Sequence, residues 1–406
     1  MDHAITKELL ESFGHVLGDQ FTAAELRILL SDLRQEKVSY KNFTNYASRL
    51  IPTEITASGD VEIVHSVKKK GSNTATYLTS GTYGKIFVSK TQPLVYKQIN
   101  ISGDDAEKEL SIRTTFLEAF VQTVLGADPM FGNSVCKIKN MYRNRSSQRP
   151  TRSVDPDVDF ELVITMEPLQ MDFTKMLSTT VATRGLLQIG DIRSQFIQIA
   201  SALQYFETRY NFHHRDLHTG NIMIGMDGNM RLIDFGMSCL TLGGTTYSVD
   251  DANIQSTPPI LGERWKNIEP SACASYDLLI FLTCLLEYEE KYLSKPLYNS
   301  LRTLFKIEER PGKIADLYGI LNEYRTTFRE NGEAPPVFHM CYVNKISELP
   351  PRLQTLIQVI YEKNIHPAAF LAFLRTAGGQ RVTKRNRNNR KNSRKGVTKR
   401  NLRKYK

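Results

Sequence analysis

The sequence predicts an α+β protein in which a small β-rich part precedes a larger helical part. Helical spacing of apolar residues gives way near residue 61 to short runs of β type, and it returns after residue 169. Near the end of the sequence apolar residues almost disappear. These changes predict a helical extension at 1–60, a β-rich lobe at 61–169, a helical lobe at 170–378 and a disordered basic tail at 379–406.

The extension has well-marked helix signals. Thr22 and Glu25 have the spacing of a capping box at the start of one helix. A further helix carries Phe43 to Leu50, and Pro52 ends it. We expect a helical packing or docking module.

The β-rich lobe is predicted from period-2 alternation and glycine breaks, which indicate a small antiparallel sheet. One helix interrupts it around Phe116–Leu125, and the polar stretch 140–159 is expected to be an exposed loop. The predicted strands are Val61–Val67, Ala75–Leu78, Lys85–Ser89, Leu94–Ile99 and Phe160–Met166.

The positive charge is concentrated in one segment. Residues 381–406 contain 13 of the 53 Lys and Arg residues and none of the 43 Asp and Glu residues. The rest of the chain is therefore nearly neutral. This segment therefore predicts nonspecific binding to nucleic acid or another polyanion, or a role as a nuclear import signal. The alternative is a basic end that is only solvated.

Other features bear on location. The start lacks a basic and then apolar signal segment, and the longest apolar run, Leu278–Leu286, is far shorter than a membrane span. The five cysteines have no C-x-x-C spacing, which indicates a reducing compartment. We expect an intracellular protein, cytoplasmic or nuclear, without membrane contact; its oligomeric state stays open.

The strongest signal lies in the helical part. Residues 214–221 read H-R-D-L-H-T-G-N and residues 234–236 read D-F-G. The 18 residues from Asp216 to Asp234 leave room for a short hairpin that returns both aspartates to one cleft. These motifs resemble the catalytic loop and the D-F-G motif of protein kinases. The resemblance implies the two-lobed protein kinase fold, in which a small antiparallel β lobe with the αC helix precedes a larger helical lobe.

The resemblance also assigns roles in the catalytic loop. Asp216 would be the catalytic base for an attacking hydroxyl, with Arg215 beside it. Asn221 and Asp234 would provide oxygen ligands for Mg²⁺ on the phosphates of ATP. His218 occupies a position where Ser/Thr kinases usually have Lys, so it is either a donor to the transferred phosphate or a residue that structures the loop.

Parts of a nucleotide site precede the loop in the expected order. Gly81, Gly84 and Ile86 resemble part of a glycine-rich phosphate loop, although Thr79 replaces its first glycine. Lys97 lies in V-Y-K, which resembles V-A-I-K and implies contact with the α- and β-phosphates.

Two further sets complete the predicted site. Lys97 needs a carboxylate partner, and Glu118 is preferred because it lies in the apolar-periodic part of the helix, with Glu109 as the alternative. Met166, Glu167 and Leu169 resemble the gatekeeper and hinge that hold adenine through backbone groups.

The resemblance weakens downstream. No A-P-E follows D-F-G, and Ile268-Glu269-Pro270 is the nearest match. Asp277 resembles the aspartate that anchors the catalytic-loop backbone. Hydroxyls at Thr245–Ser248 and Ser256–Thr257 are candidates for phosphorylation and pairing with Arg215. The basic tail and this divergent segment together resemble kinases of large DNA viruses, for which a virion location is also expected.

The sequence therefore predicts an ATP- and Mg²⁺-dependent serine/threonine-type protein kinase that acts on a protein substrate. Two alternatives stay open: a phosphotransferase for small molecules such as aminoglycosides or choline, and a pseudokinase that serves as a binding scaffold.

Overall fold

The computed structural model describes residues 5–34, 43–55, 61–63, 75–81, 84–89, 93–144 and 158–248, with shorter stretches between 277 and 375. Its helices are α1 (Lys7–Val16), α2 (Ala23–Asp32), α3 (Phe43–Arg49), α4 (Asp105–Gly126), α5 (Phe173–Arg184), α6 (Ile189–Tyr210) and α7 (Lys295–Leu304). Its strands are β1 (Pro52–Ile55), β2 (Val61–Ile63), β3 (Ala75–Gly81), β4 (Gly84–Ser89), β5 (Val95–Ser102), β6 (Ile138–Asn144), β7 (Val158–Met166), β8 (Leu169–Asp172), β9 (Ile222–Gly225), β10 (Met230–Leu232), β11 (Cys239–Leu242), β12 (Thr245–Ser248), β13 (Lys306–Arg310) and β14 (Lys313–Asp316). The predicted α+β class is confirmed. The predicted tail and residues 249–276 lie outside the described residues.

The largest sheet has seven strands in the order β2-β1-β6-β7-β5-β4-β3. Strands β1 and β6 run parallel, whereas the other pairs in this sheet are antiparallel. Two expectations are corrected here: the sheet is not wholly antiparallel, and the N-terminal extension is not wholly helical. Pro52 both ends a helical stretch and begins β1, a position where a strand tolerates the missing N–H. A strand of four residues is too short to show a clear period.

The prediction that residues 140–159 form an exposed loop is wrong at both ends of this range. Strand β6 continues to Asn144, and β7 begins at Val158. Polar groups of β6 are paired with β7 across the sheet: Thr165 Oγ1 accepts from the backbone N–H of Asn140 at 3.0 Å, and the side-chain amide of Asn144 donates to Glu161. These pairings let a polar sequence form a strand, and residues 145–157 lie outside the described residues.

Helix α4 is longer than its apolar pattern predicted. Asp104 and Glu107 form a capping box that starts the helix well before Phe116. Side chains all round the helix are buried from Thr115 to Leu125. A helix buried on every side must be covered by other elements on both faces. The predicted capping box of α2 is also confirmed, because Thr22 and Glu25 bond reciprocally.

The predicted hairpin after the catalytic loop is formed by β9 and β10, with β8 on the far side of β9. Gly228 lies in its turn at φ 78°, a left-handed conformation that glycine adopts without strain. The hairpin therefore carries the chain from Asn221 back towards Asp234.

The chain divides into two compact units. The first comprises 1–179, 198–284 and 339–344, and the second comprises 180–197, 285–338 and 345–406. Every predicted site residue belongs to the first unit. In the second unit α7 buries Leu297 and Leu301, and β13 pairs with β14. Among the described residues, no helix has the length and apolar character that a membrane crossing needs.

Candidate active site

The backbone of the predicted catalytic loop is held by a buried carboxylate. Asp277 accepts hydrogen bonds from the backbone N–H groups of His214 and Arg215, both at 2.8 Å. Burial raises the pKa of Asp277 to about 7, although these hydrogen bonds oppose the shift. Arg215 adopts a positive φ of 67°, so the anchor sits at a strained turn of the loop.

The loop is also joined to the D-F-G segment. His214 Nε2 lies 2.9 Å from the backbone oxygen of Ile233, and its ring packs on Phe235 with 5.3 Å between centroids. Burial lowers the pKa of His214, so the ring is neutral and donates to that oxygen. Phe235 is fully buried. These contacts fix the position of Asp234 relative to the loop.

Asp216 and Asn221 form the centre of the loop. Asn221 Nδ2 donates to the backbone oxygen of Asp216 at 2.8 Å and to its Oδ2 at 3.2 Å. Burial raises the pKa of Asp216 to about 7, and the negative charge of Asp234 adds to this increase. Asp216 is therefore a carboxyl group that can exchange a proton near neutral pH.

Lys97 joins the sheet to α4 and to the D-F-G segment. Its Nζ donates to Glu118 Oε1 at 2.7 Å, to Glu118 Oε2 at 2.9 Å and to Asp234 Oδ1 at 3.1 Å. Burial alone would lower the pKa of Lys97, but the Asp234 and Glu118 carboxylates raise it overall. Lys97 thus presents a fixed positive charge, and its partner in α4 is Glu118 rather than Glu109.

The two predicted metal ligands have suitable oxygen atoms. The Lys97 ammonium outweighs burial and lowers the pKa of Asp234, which keeps this carboxylate ionised. Asn221 uses its amide nitrogen for Asp216, so its amide oxygen can face a cation. Oxygen ligands of this kind suit Mg²⁺ that is shared with phosphate groups. Asp234 and Asn221 can therefore hold such an ion.

The glycine-rich segment forms the hairpin of β3 and β4. Gly81 and Gly84 are paired with each other across β3 and β4, and residues 82–83 lie outside the described residues. Ile86 pairs with Lys97 in the next strand. The hairpin and the lysine therefore belong to adjacent strands of one sheet.

The predicted hinge has a structural anchor that sequence reasoning missed. Glu167 Oε1 accepts from the Lys137 N–H at 2.9 Å and lies 3.4 Å from Nε of the buried Arg231. Arg231 also donates to Asp227 Oδ2 at 2.9 Å, in the turn of the β9–β10 hairpin. The Glu167 side chain therefore holds the hinge backbone, while Met166 ends β7 and Leu169 begins β8. An isolated Arg on a short strand gave no signal of this role.

His218 serves the loop itself. Its Nδ1 accepts from the Gly220 N–H at 3.0 Å, which places the proton of a neutral ring on Nε2. A Cβ atom on Gly220 would lie 2.8 Å from the imidazole Cε1, so only glycine fits under this ring. This contact supports the alternative in which His218 structures the loop.

Some predicted phosphorylation positions are not accessible in the folded hairpin of β11 and β12. Tyr247 and Ser248 are buried, whereas Thr245 and Thr246 are half-buried. Ser256, Thr257 and the Ile268-Glu269-Pro270 segment lie outside the described residues. The pairing of a phosphate at Tyr247 or Ser248 with Arg215 does not fit this fold.

Comparisons with known proteins agree with this geometry. Residues 73–261 match the family model of the protein kinase domain. The chain is 28% identical over 173 residues to testis-specific serine/threonine-protein kinase 1 of Mus musculus, which covers 42% of each chain. It is 38% identical over 61 residues to CBL-interacting protein kinase 31 of Oryza sativa subsp. japonica, 15% of this chain and 13% of the relative. It is 26% identical over 102 residues to cyclin-dependent kinase 1 of Encephalitozoon cuniculi (strain GB-M1), 25% of this chain and 34% of the relative.

The fold and the site thus define a protein kinase domain, which residues 73–261 of this chain match. The chain spans less than half the length of the curated relatives that it matches.

Proposed function

We propose that this chain is a protein kinase that transfers the γ-phosphate of ATP, with Mg²⁺, to Ser or Thr hydroxyls of a protein substrate. The observation that carries the proposal is the three-way contact of Lys97 with Glu118 and Asp234, all within 3.1 Å. This contact brings the sheet, α4 and the D-F-G segment together around one buried cation. Bound Mg²⁺ would neutralise negative charge on the phosphates of ATP.

Each residue has a chemical task in this proposal. Lys97 offers its ammonium to phosphate oxygens, and Glu118 keeps that ammonium in place. Asp234 and Asn221 supply oxygens to the metal. Asp216 accepts the proton of the attacking hydroxyl, and its pKa of about 7 suits a group that takes up and releases a proton near neutral pH. These tasks draw on residues of β5, α4, the catalytic loop and the D-F-G segment.

Specificity for Ser and Thr is supported by the relatives, since the mouse protein is named a serine/threonine-protein kinase. The experiment incubates the full chain and Mg²⁺ with ATP labelled at the γ-phosphate, and offers a mixed protein substrate, an aminoglycoside and choline in separate reactions. Phosphoamino acid analysis then identifies the acceptor. Label on Ser or Thr supports the proposal.

Matched variants separate catalysis from contamination. Lys97→Met and Asp216→Asn should lose the label, while exposed Lys175→Met and Asp105→Asn should keep it. Label that appears only on a small molecule would indicate the small-molecule phosphotransferase. ATP binding without turnover would indicate a binding scaffold.

A further inference from the structure

Helix α4 has two opposite faces with different partners. Glu109, Arg113, Phe116 and Phe120 follow one another at intervals of four, three and four residues, and we call them the outer stripe of α4. At about 100° per residue, Glu118 lies roughly 180° from Glu109 around the helix. The outer stripe therefore faces away from Lys97. Elements that pack on the outer stripe can hold α4 in the position where Glu118 contacts the lysine.

The N-terminal helices cover the outer stripe. The Phe13 ring of α1 packs on Phe120 at 5.3 Å between centroids, and the Phe43 ring of α3 packs on Phe116 at 6.5 Å. The Glu109 carboxylate accepts from the backbone N–H groups of Phe43 at 2.8 Å and Thr44 at 3.1 Å. Glu109 thus caps α3 from another helix and ties the extension to α4.

Arg113 connects this stripe to two further segments. Its Nη2 donates to the backbone oxygen of Arg34 at 2.9 Å and to that of Ser248 at 3.0 Å. Only 3% of Arg113 is exposed, so its guanidinium depends on hydrogen bonds from within the protein. Arg34 follows α2, and Ser248 ends the β11–β12 hairpin that comes after D-F-G.

The two segments that Arg113 joins also contact each other. Arg34 forms an isolated β-bridge with Tyr247, and the Tyr247 ring packs on Phe120 at 4.9 Å between centroids. A movement of α4 away from Lys97 would have to open these aromatic contacts and remove Arg113 from both backbone oxygens. Unmade hydrogen bonds of buried groups are costly, so the contacts oppose that movement.

We propose that Arg113 is a positioning residue: it clamps α4 between the N-terminal helices and the β11–β12 hairpin, and thereby holds Glu118 on Lys97. The clamp is formed by backbone oxygens and aromatic rings of this chain. This inference rests on the proposed kinase activity for its kinetic part.

The test uses the full chain with Arg113→Met, which removes the donors at similar length. We expect kcat for a protein substrate to fall about 10-fold while KM for ATP changes less than about threefold. Arg113→Lys, which can reach one of the two backbone oxygens, should lose less than Arg113→Met. The exposed Arg27 of α2 provides the matched control, and Arg27→Met should leave kcat unchanged.

A double-mutant cycle distinguishes positioning from general stability. If Arg113 acts through Glu118, its replacement should matter little once Glu118 is already changed. The double variant Arg113→Met, Glu118→Gln should therefore have a kcat within about twofold of that of Glu118→Gln alone. A fully additive loss, or a kcat within twofold of wild type for Arg113→Met alone, would overturn the inference. If Arg113→Met does not fold, the same cycle with Arg113→Lys decides.

Hydrogen–deuterium exchange gives a readout that does not need activity. Amides of α4 should exchange faster in Arg113→Met than in wild type or Arg27→Met. Unchanged exchange of α4 would refute the clamp even if activity fell. A wild-type protein that transfers no phosphate would refute the proposed function, and exchange alone would then judge the clamp.

Discussion

Glu118 holds the ammonium of Lys97 with both carboxylate oxygens, at 2.7 and 2.9 Å, on the side of α4 opposite the outer stripe. Asp234 accepts a third hydrogen bond from the same nitrogen at 3.1 Å. Lys97 and Glu118 are buried and Asp234 is half-buried beside them, so each charge depends on its neighbours. In the proposed kinase, the position of α4 therefore decides whether the Lys97 ammonium is presented to the phosphates of ATP.

Replacement of Glu118 tests this dependence. In Glu118→Gln, Lys97 keeps only Asp234 as a charged partner, and we expect kcat to fall at least about 10-fold. Glu109→Gln is the matched control on the same helix, because a glutamine oxygen can still accept from α3. Steady-state kinetics with a protein substrate measure both variants, and equal losses would contradict the distinct tasks of the two glutamates.

In the proposed reaction, Asp216 sets the pH dependence of turnover. Its carboxyl group must be ionised to accept a proton, and burial followed by the charge of Asp234 raises its pKa to about 7. We expect kcat/KM to rise with pH through about 7 and then level off. In Asp216→Asn we expect kcat to be lower by about 10²- to 10⁴-fold. A profile between pH 5.5 and 8.5 that is flat in the wild type would contradict this assignment.

The same carboxyl group should lower stability at neutral pH. Its pKa is about 7 in the folded protein and 3.8 as the ordinary value, so the folded state binds more protons between these limits. The free energy of unfolding therefore decreases as pH rises from about 4 to 7. Asp216→Asn removes this contribution, although Asp277, with a pKa also raised to about 7, retains its own.

We accordingly expect Asp216→Asn to have a higher Tm than wild type at pH 7.5 and a shallower decrease of Tm with pH. Thermal unfolding of both proteins from pH 5 to 8 measures this. The exposed Asp105→Asn, as a control, should follow the wild-type curve. A Tm lower than wild type for Asp216→Asn at pH 7.5 would show that its hydrogen bonds outweigh its buried charge.

Sequence reasoning reached the residues whose positions are fixed by short local spacing. Asp216, Asn221 and Asp234 are joined by one hairpin, and Glu118 could be chosen because apolar periodicity marks the buried part of α4. It did not find what Glu109 and Arg113 do, because their partners lie in α3, after α2 and in β12, far away in the sequence. Strand β1 was missed for a related reason, since its parallel partner β6 is remote and its own pattern is only four residues long.

Arg231 supplies a prediction for the hinge. It bonds to Asp227 and lies 3.4 Å from Glu167, so Arg231→Met should loosen the backbone that is proposed to hold adenine. We expect KM for ATP to rise about 3- to 10-fold with kcat nearly unchanged. This pattern indicates a loss of binding energy that is the same in the ground state and in the transition state. Asp227→Asn, which keeps Glu167 beside Arg231, should raise KM less. A loss of kcat without a change of KM would place Arg231 in another role.

The basic segment at 381–406 is expected to bind nucleic acid because of its charge. These residues lie outside the described part of the chain, so the expectation rests on charge alone. Its 13 Lys and Arg residues face no Asp or Glu within the segment. If about six to ten of these cations meet phosphates, log affinity for DNA or RNA should fall with log salt at a slope of about −5 to −9, without sequence preference. The control is a full-length chain in which these Lys and Arg residues are replaced by Gln. It should lose nucleic-acid binding and keep its activity on a short peptide, because the site residues all precede this segment. Equal binding by both chains at low salt would refute the contact.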